Sequence, residues 1–290
     1  MKYYRVAVFL GILLLIFSGA LSSGRAKPEK KEIQVNVVPP ISQKETKVED
    51  HAGACPSDMV EVKGEYCPNL QIECLYNIDL DGTRHYPGDI NKACGEYKNP
   101  SKCLSDTVSM HFCIDRYEWP NKVGTVPQDW MNYFDAEKAV KSVGKRICTH
   151  KEWTLAAEGP NRHPLPYGNG FHRSRLCNFD NPNPGIPVME SKHPNDETSQ
   201  KLRSLLVPSG SMKDCVSDFG VHDMAGNIDE WVVNESSQDM CLNKTSGNCR
   251  TGLMGGHIWH VRNASRPMTT AHGAGFSWYE TGARACKDIP

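Results

Sequence analysis

The stretch Phe219–Val232, "FGVHDMAGNIDEWV", decides how this chain is read. Two carboxylates, Asp223 and Glu230, flank a Gly-Asn turn, an arrangement that lets hard oxygen ligands and backbone carbonyls converge on one point. Acidic residues around a glycine turn are also the ordinary make-up of a solvated loop. The stretch therefore takes its meaning from the rest of the chain.

The amino end is basic at Lys2 and Arg5, apolar from Val6 to Phe17, and closes with "SGALSSG". Residues 1–24 read as a secretory signal with cleavage near Ser22 or Gly24. The apolar run falls short of the about 20 residues that a bilayer span needs, an uncleaved anchor being the alternative. No cysteine precedes Cys55, so the acylated cysteine of a bacterial lipoprotein is not available. The sequence thus predicts a secreted or periplasmic protein with no transmembrane segment after signal cleavage. Residues 25–54, with "PEKKE" and "SQKETKVED" and no aromatic, read as a polar linker.

Twelve cysteines, an even number, fit an oxidising compartment and a disulfide framework. Zinc is the competing use, but the closest pairs (Cys67/Cys74, Cys94/Cys103, Cys241/Cys249) are wider than zinc-knuckle spacing. A formal net charge of −1 with interspersed signs leaves no basic stripe, so nucleic acid is not an expected partner.

Residues 55–113 hold six cysteines among Gly, Pro, Asn and Asp, an extension that buries little and relies on covalent links. Helical spacing of Ala136, Ala139, Val140 and Val143, with Gly144 as stop, predicts a helix near Asp135–Val143. In "THKEWTLAAEGP", Thr149 and Glu152 form a capping box and Gly159-Pro160 the stop, which predicts a second helix over Thr149–Glu158. Beyond Pro160 recurring Gly, Pro, Asn and Asp predict short strands and ordered loops.

Read in order, "CPSDMVEVKG", "FCIDRYEWPN", "GKRICTHKEWTLAAEGP", "FGVHDMAGNIDEWV", "GGHIWHVRNASRP" and "TGARAC" resemble the sulfatase-modifying-factor family, whose founding members are the formylglycine-generating enzymes. The resemblance covers Cys55 to Cys286. It implies one α+β domain at 55–290 with the formylglycine-generating-enzyme fold, C-type-lectin-like, loop-rich and disulfide-stabilised. It further implies a structural calcium on the side chains of Asp223 and Glu230 and the carbonyls of Gly226 and Ile228. A second calcium would start at Asn178 and the carbonyl of Phe179, its other ligands lying in an unaligned segment between Ser191 and Val207.

One block departs from the family. Formylglycine-generating enzymes hold Cu(I) on two cysteines five residues apart, just after a Gly-Gly pair, because soft sulfur favours that ion. Placing that pair on Gly255-Gly256 puts His260 and Ser265 at the thiol positions. Neither side chain can form a mixed disulfide with a substrate cysteine, so the family's oxidase chemistry and its copper are not expected. The resemblance also implies a disulfide at Ala157 and Ala285, where both partners are alanine, leaving Cys286 to find another.

The pairings expected are Cys241 with Cys249 as a local loop, Cys177 with Cys215 around the central insertion, and Cys148 with Cys286 beside the two alanines. The amino-terminal six allow many combinations, of which Cys67–Cys74, Cys94–Cys103 and Cys55–Cys113 are preferred. His257, His260 and His272 could bind copper or zinc, or serve as ordinary hydrogen-bonded histidines. Ser265 with a histidine lacks both an orienting acid and a nucleophile turn. Arg266, His272, Phe276, Trp278 and Tyr279 offer the aromatic-plus-Arg mix of a recognition surface, unless the rings fill the core. Asn234, Asn243 and Asn263 begin glycosylation sequons, which matter only in a eukaryotic secretory pathway.

Three functional readings follow. The chain is a binding or assembly module for a protein, peptide or glycan; or a metal-dependent enzyme, an oxidoreductase or maturation factor, built on the same scaffold; or a true formylglycine-generating oxidase.

Overall fold

The computed structural model describes residues 54–79, 92–170, 175–242, 248–259, 262 and 264–289. The expected signal (1–24), nearly all of the linker, and His260, Asn243 and Asn263 lie outside the described residues. All described residues belong to one unit, Asp50–Pro290.

The central sheet brings together chain segments from both ends of that unit. Strand β1 (Met59–Tyr66) pairs antiparallel with β6 (Val108–Asp115), from Met59 opposite Asp115 to Tyr66 opposite Val108. The last strand, β11 (Ala285–Asp288), lies between β6 and β7 (Arg146–Ile147). A second sheet joins β8 (Asp229–Val233) antiparallel to β9 (Thr251–Met254) and parallel to β10 (Thr281–Ala283).

The first helix, α1, spans Tyr133–Ser142. It begins two residues ahead of the sequence expectation because Asn132 caps it, accepting the Asp135 N–H at 2.9 Å. Helix α2 spans His150–Glu158 with Thr149 as N-cap, and both arms of the capping box with Glu152 are made. Gly159, at φ 66°, ends it. A short α3 (Glu197–Arg203) follows, capped by Asp196.

Side-chain alternation along β11 separates two cores. Cys286 packs with Val62, Phe112, Ile114, Trp153, Leu155 and Ala157, whereas Ala285 packs with Ile147, Trp231, Leu253 and the α1 residues Ala136 and Val140. Ala157 and Ala285 thus belong to different clusters, so the facing pair implied by the resemblance is not formed. The α2 face that holds Ala157 meets Cys286 instead, in the cluster that also holds its disulfide partner Cys148.

Six disulfides use all twelve cysteines: Cys55–Cys113, Cys67–Cys103, Cys74–Cys94, Cys148–Cys286, Cys177–Cys215 and Cys241–Cys249. The expected pairs Cys67–Cys74 and Cys94–Cys103 are replaced, and the cause is nested strand pairing. Strand β2 (Leu70–Gln71) returns to β5 (Lys102–Cys103), with Leu70 opposite Cys103. Inside that loop β3 (Cys74–Asp79) pairs with β4 (Lys92–Tyr97). Each ladder brings a distant cysteine within bonding range, with Cα separations of 5.8 and 5.7 Å, and so overrides sequence proximity. The extension is also less separate than its composition suggests, since β1 sends Val60, Val62 and Tyr66 into the main core.

Candidate functional site

The stretch that opened the sequence reading folds into a loop packed against the sheets, with Asp223, Asn227, Asp229 and Glu230 all buried. Gly226, at φ 78°, has no room for a side chain: a Cβ there would meet the Asn178 carbonyl and lie 2.6 Å from Phe179 Cβ. Asn227 donates its backbone N–H to that same carbonyl at 2.7 Å. Asn178 meanwhile uses its side chain on Leu205, Asn227 and Asn181.

Glu230 meets a cation supplied by the chain itself. Arg284, with no exposed surface, donates from Nε to both carboxylate oxygens at 3.0 and 2.9 Å and from Nη2 to one at 2.7 Å. Trp153 Nε1 donates to Glu230 at 2.6 Å, and the remaining Arg284 donors reach the carbonyls of Asp115 and His222. Asp223 accepts the Gly210 N–H at 2.6 Å. Burial lifts the Asp223 carboxyl to about 6.

A third acid, Glu118, joins the group. It accepts from Ser209 at 2.8 Å and from the Asn227 amide at 3.1 and 2.9 Å. Burial first, then the negative charges of Asp223 and Glu230, push its pKa well up.

These contacts bear on calcium. A calcium ion takes six to eight oxygen ligands, but both Glu230 oxygens face a guanidinium and an indole N–H. Among the described residues no three His, Cys, Asp or Glu side chains are grouped to hold a metal. The side chains of Asp223 and Glu230, as arranged, do not fit the calcium site that the resemblance implies. At the second position the Asn178 side chain is likewise committed to protein partners.

The Gly-Gly block lies next to this loop. Gly255 and Gly256 take φ of 97° and 83°, a region open to glycine. The Gly255 carbonyl accepts from Gly226 N–H at 3.0 Å, and Gly256 N–H donates to Asp229 at 2.8 Å. Arg262 completes the clamp, donating to Asp229 at 2.7 and 3.3 Å and to Thr269 at 2.6 Å.

His257 is 2 % exposed, and its Nε2 lies 3.1 Å from Glu280, which is 4 % exposed. Burial, reinforced by Asp229 and opposed by Arg262, lifts Glu280 to about 8. Nε2, one of its two possible metal-binding nitrogens, thus faces a carboxyl group. His272 stacks on Phe276 with centroids 3.8 Å apart, and burial holds its pKa down.

Ser265 is 5 % exposed and its N–H donates to the Pro164 carbonyl at 2.7 Å. Its hydroxyl is buried with no partner, histidine or otherwise, among the described residues. Arg266 clamps Glu158 at 2.6 and 2.8 Å, and Tyr279 is buried, while His272, Phe276 and Trp278 stay half-buried. Asn234 is 1 % exposed and its amide donates to Asn248 and Cys249, which makes it a structural residue in the folded chain.

Residues that the sequence reading did not single out, Glu118, Asp229, Arg262, Glu280 and Arg284, carry much of this ionic network. All but Glu280 lie within the blocks quoted above.

A loop-rich α+β domain held by six disulfides, with a clamped Gly-Gly turn beside an acidic Gly-Asn loop, defines the class. The Sulfatase-modifying factor enzyme 1-like domain family matches residues 101–289, and the chain belongs to that family. The solved structure of CarF is similar over 81 % of this chain and 99 % of its own, at 14 % identity and a TM-score of 0.50. PvdO from Pseudomonas aeruginosa covers 81 % of this chain and 95 % of its own at 16 % identity and TM-score 0.45. The Treponema denticola variable protein 1 covers 81 % and 100 % at 11 % identity and TM-score 0.40. No curated protein matches the sequence. Among the described residues no helix is long and apolar enough to cross a membrane.

Proposed function

We propose that this family member is an exported binding or assembly module that does not generate formylglycine. The observation that carries the reading is the state of the cysteines: all twelve are joined in disulfides and none is free. Copper-dependent oxidation of a substrate cysteine, as the resemblance describes it, needs two thiols to hold Cu(I) and to exchange with the substrate. Ser265, a buried hydroxyl, stands at one of those positions and His260 at the other. Six disulfides also suit an oxidising compartment, which supports export through the amino-terminal signal.

Binding draws support from the half-buried aromatics. Trp130 and Trp278 border a buried cluster of Leu202, Ile258, Trp259 and Tyr279, and Phe276 packs edge-on to Trp278 with centroids 6.3 Å apart. Half-buried rings held by their neighbours are the kind of anchor that peptides and sugars use.

The test offers the purified chain a cysteine-containing sulfatase peptide with Cu(I) and O2 and follows the peptide mass. No conversion is expected. Turnover by the unaltered chain would overturn the proposal, and stoichiometric copper or zinc that is lost in His260→Ala would favour the metal-dependent enzyme instead.

A further inference from the structure

A cavity of about 480 Å³ opens between the Cys-rich extension and the loop that follows α2. Its walls include Lys98, Lys102 and Arg162, and among the described residues lining it Glu73 is the only acid, so three cations face one carboxylate. Glu73 is already paired with Lys98 at 3.0 Å. Lys102 and Arg162 have no such partner among the described residues.

Most half-buried or buried arginines have a named acceptor: Arg116 donates to the Gly220 carbonyl and Arg250 to Gln238 Oε1. Arg146, Arg203, Arg262, Arg266 and Arg284 each donate to a carboxylate. The carboxylate closest to Arg162 in sequence, Glu158, has both oxygens taken by Arg266. Arg162 Nε is buried with no acceptor among the described residues, and so is the hydroxyl of Ser101, a residue only 7 % exposed that lines the same cavity. An Nε–H can only donate and a hydroxyl can donate or accept, so one acceptor would satisfy both groups. Buried polar groups without partners are uncommon in folded proteins, and two of them flank one electropositive cavity.

We propose that this cavity is a binding site for an oxyanion, a sulfate, phosphate or carboxylate group carried by a small polar ligand. Arg162 is its main ion partner, Ser101 donates a hydrogen bond, and Lys102 adds charge at the rim. The volume falls within the usual range for small-molecule sites, roughly 300–1,000 Å³. The site lies on residues that the binding proposal above does not use and stands independently of it.

The experiment follows the Arg162 Nε–H resonance and the backbone amides of Ser101 and Lys102 by NMR in the full disulfide-bonded chain. Sodium sulfate, sodium phosphate and sodium acetate are titrated in turn, with NaCl holding ionic strength constant. At least one probe is expected to give a saturable shift, and comparison of the three reports whether the site prefers a tetrahedral or a planar oxyanion. Arg162→Asn keeps a residue that tolerates the left-handed backbone found there (φ 57°). It should weaken binding by at least ~10-fold, as expected when a charge-assisted hydrogen bond is lost. Lys102→Ala, at an exposed position, provides a second variant that leaves the fold untouched and should weaken binding by about 3-fold, in keeping with an exposed charge interaction. Absence of a saturable response to all three anions, or equal affinity in Arg162→Asn, would overturn the proposal.

Discussion

Replacement of Arg284 tests the core of this structure most directly. The Arg284→Met variant removes the fork that meets Glu230 and leaves the carboxylate at 1 % exposure with only Trp153 as donor. Breaking a buried ion pair by deleting one partner costs about 3–5 kcal/mol. The Asp115 and His222 carbonyls lose donors as well, at about 1–3 kcal/mol for each buried group left unsatisfied. These terms overlap, so a loss of ~4–6 kcal/mol is expected, a large share of the about 5–15 kcal/mol that holds a typical domain.

The assay is urea unfolding with the disulfides intact. Adding Glu230→Leu to Arg284→Met should recover at least ~2 kcal/mol, because an apolar pair avoids the orphaned charge. A cost under about 1.5 kcal/mol for Arg284→Met, or a double variant no more stable than the single, would refute the argument that this pair is a mutually dependent buried unit.

Two further outcomes follow from the same physics. Glu280 is lifted from 4.5 to about 8, so the folded state keeps a proton that the unfolded state releases, and stability should fall as pH rises through that window by roughly 1.4 kcal/mol per unit. Glu280→Gln, facing the same His257, Asp229, Arg262 and Tyr279, should flatten that fall; parallel pH profiles for the two proteins in denaturant titrations would count against it. With Arg284 as the counter-ion of Glu230, EGTA should leave the melting temperature unchanged, whereas a drop reversed by calcium and abolished in Asp223→Ala would place a calcium at the Gly-Asn loop after all.

Helix α2 was legible because its determinants are local: a capping box three residues wide and a glycine stop can be read without knowing any neighbour. The ion pairs were not, although the residues stood in plain view. Glu230 finds Arg284 across 54 positions, Asp229 finds Arg262 across 33, and Glu158 finds Arg266 across 108. A carboxylate beside a glycine turn looks the same in sequence whether a metal, a guanidinium or water completes it. The nested disulfides escaped for a related reason. Spacing favours the nearest cysteine, but β2–β5 enclosing β3–β4 sets Cα distances that spacing does not contain. Disulfides that depend on one element folding back on another, such as Cys148–Cys286, became readable only through the alignment of whole blocks.

The Gly-Gly block shows how a family's sequence pattern can be held by backbone geometry rather than by thiols. Gly255 and Gly256 hold backbone angles that strongly favour glycine, Gly226 donates to the Gly255 carbonyl, and Asp229 ties Gly256 N–H to Arg262. These contacts position β8 against the turn that follows β9 and depend on no thiol. The residues that the oxidase reaction needs are separable from them: Ser265 sits on the Pro164 carbonyl through its backbone, which any side chain other than proline would allow. The clamp therefore needs no thiol at position 265, and its residues are the ones that make the sequence block recognisable. The clamp and the proposed loss of oxidase chemistry rest on different side chains, so chemistry and fold must be tested by different substitutions: His260 and Ser265 for the first, Arg284 and Asp229 for the second.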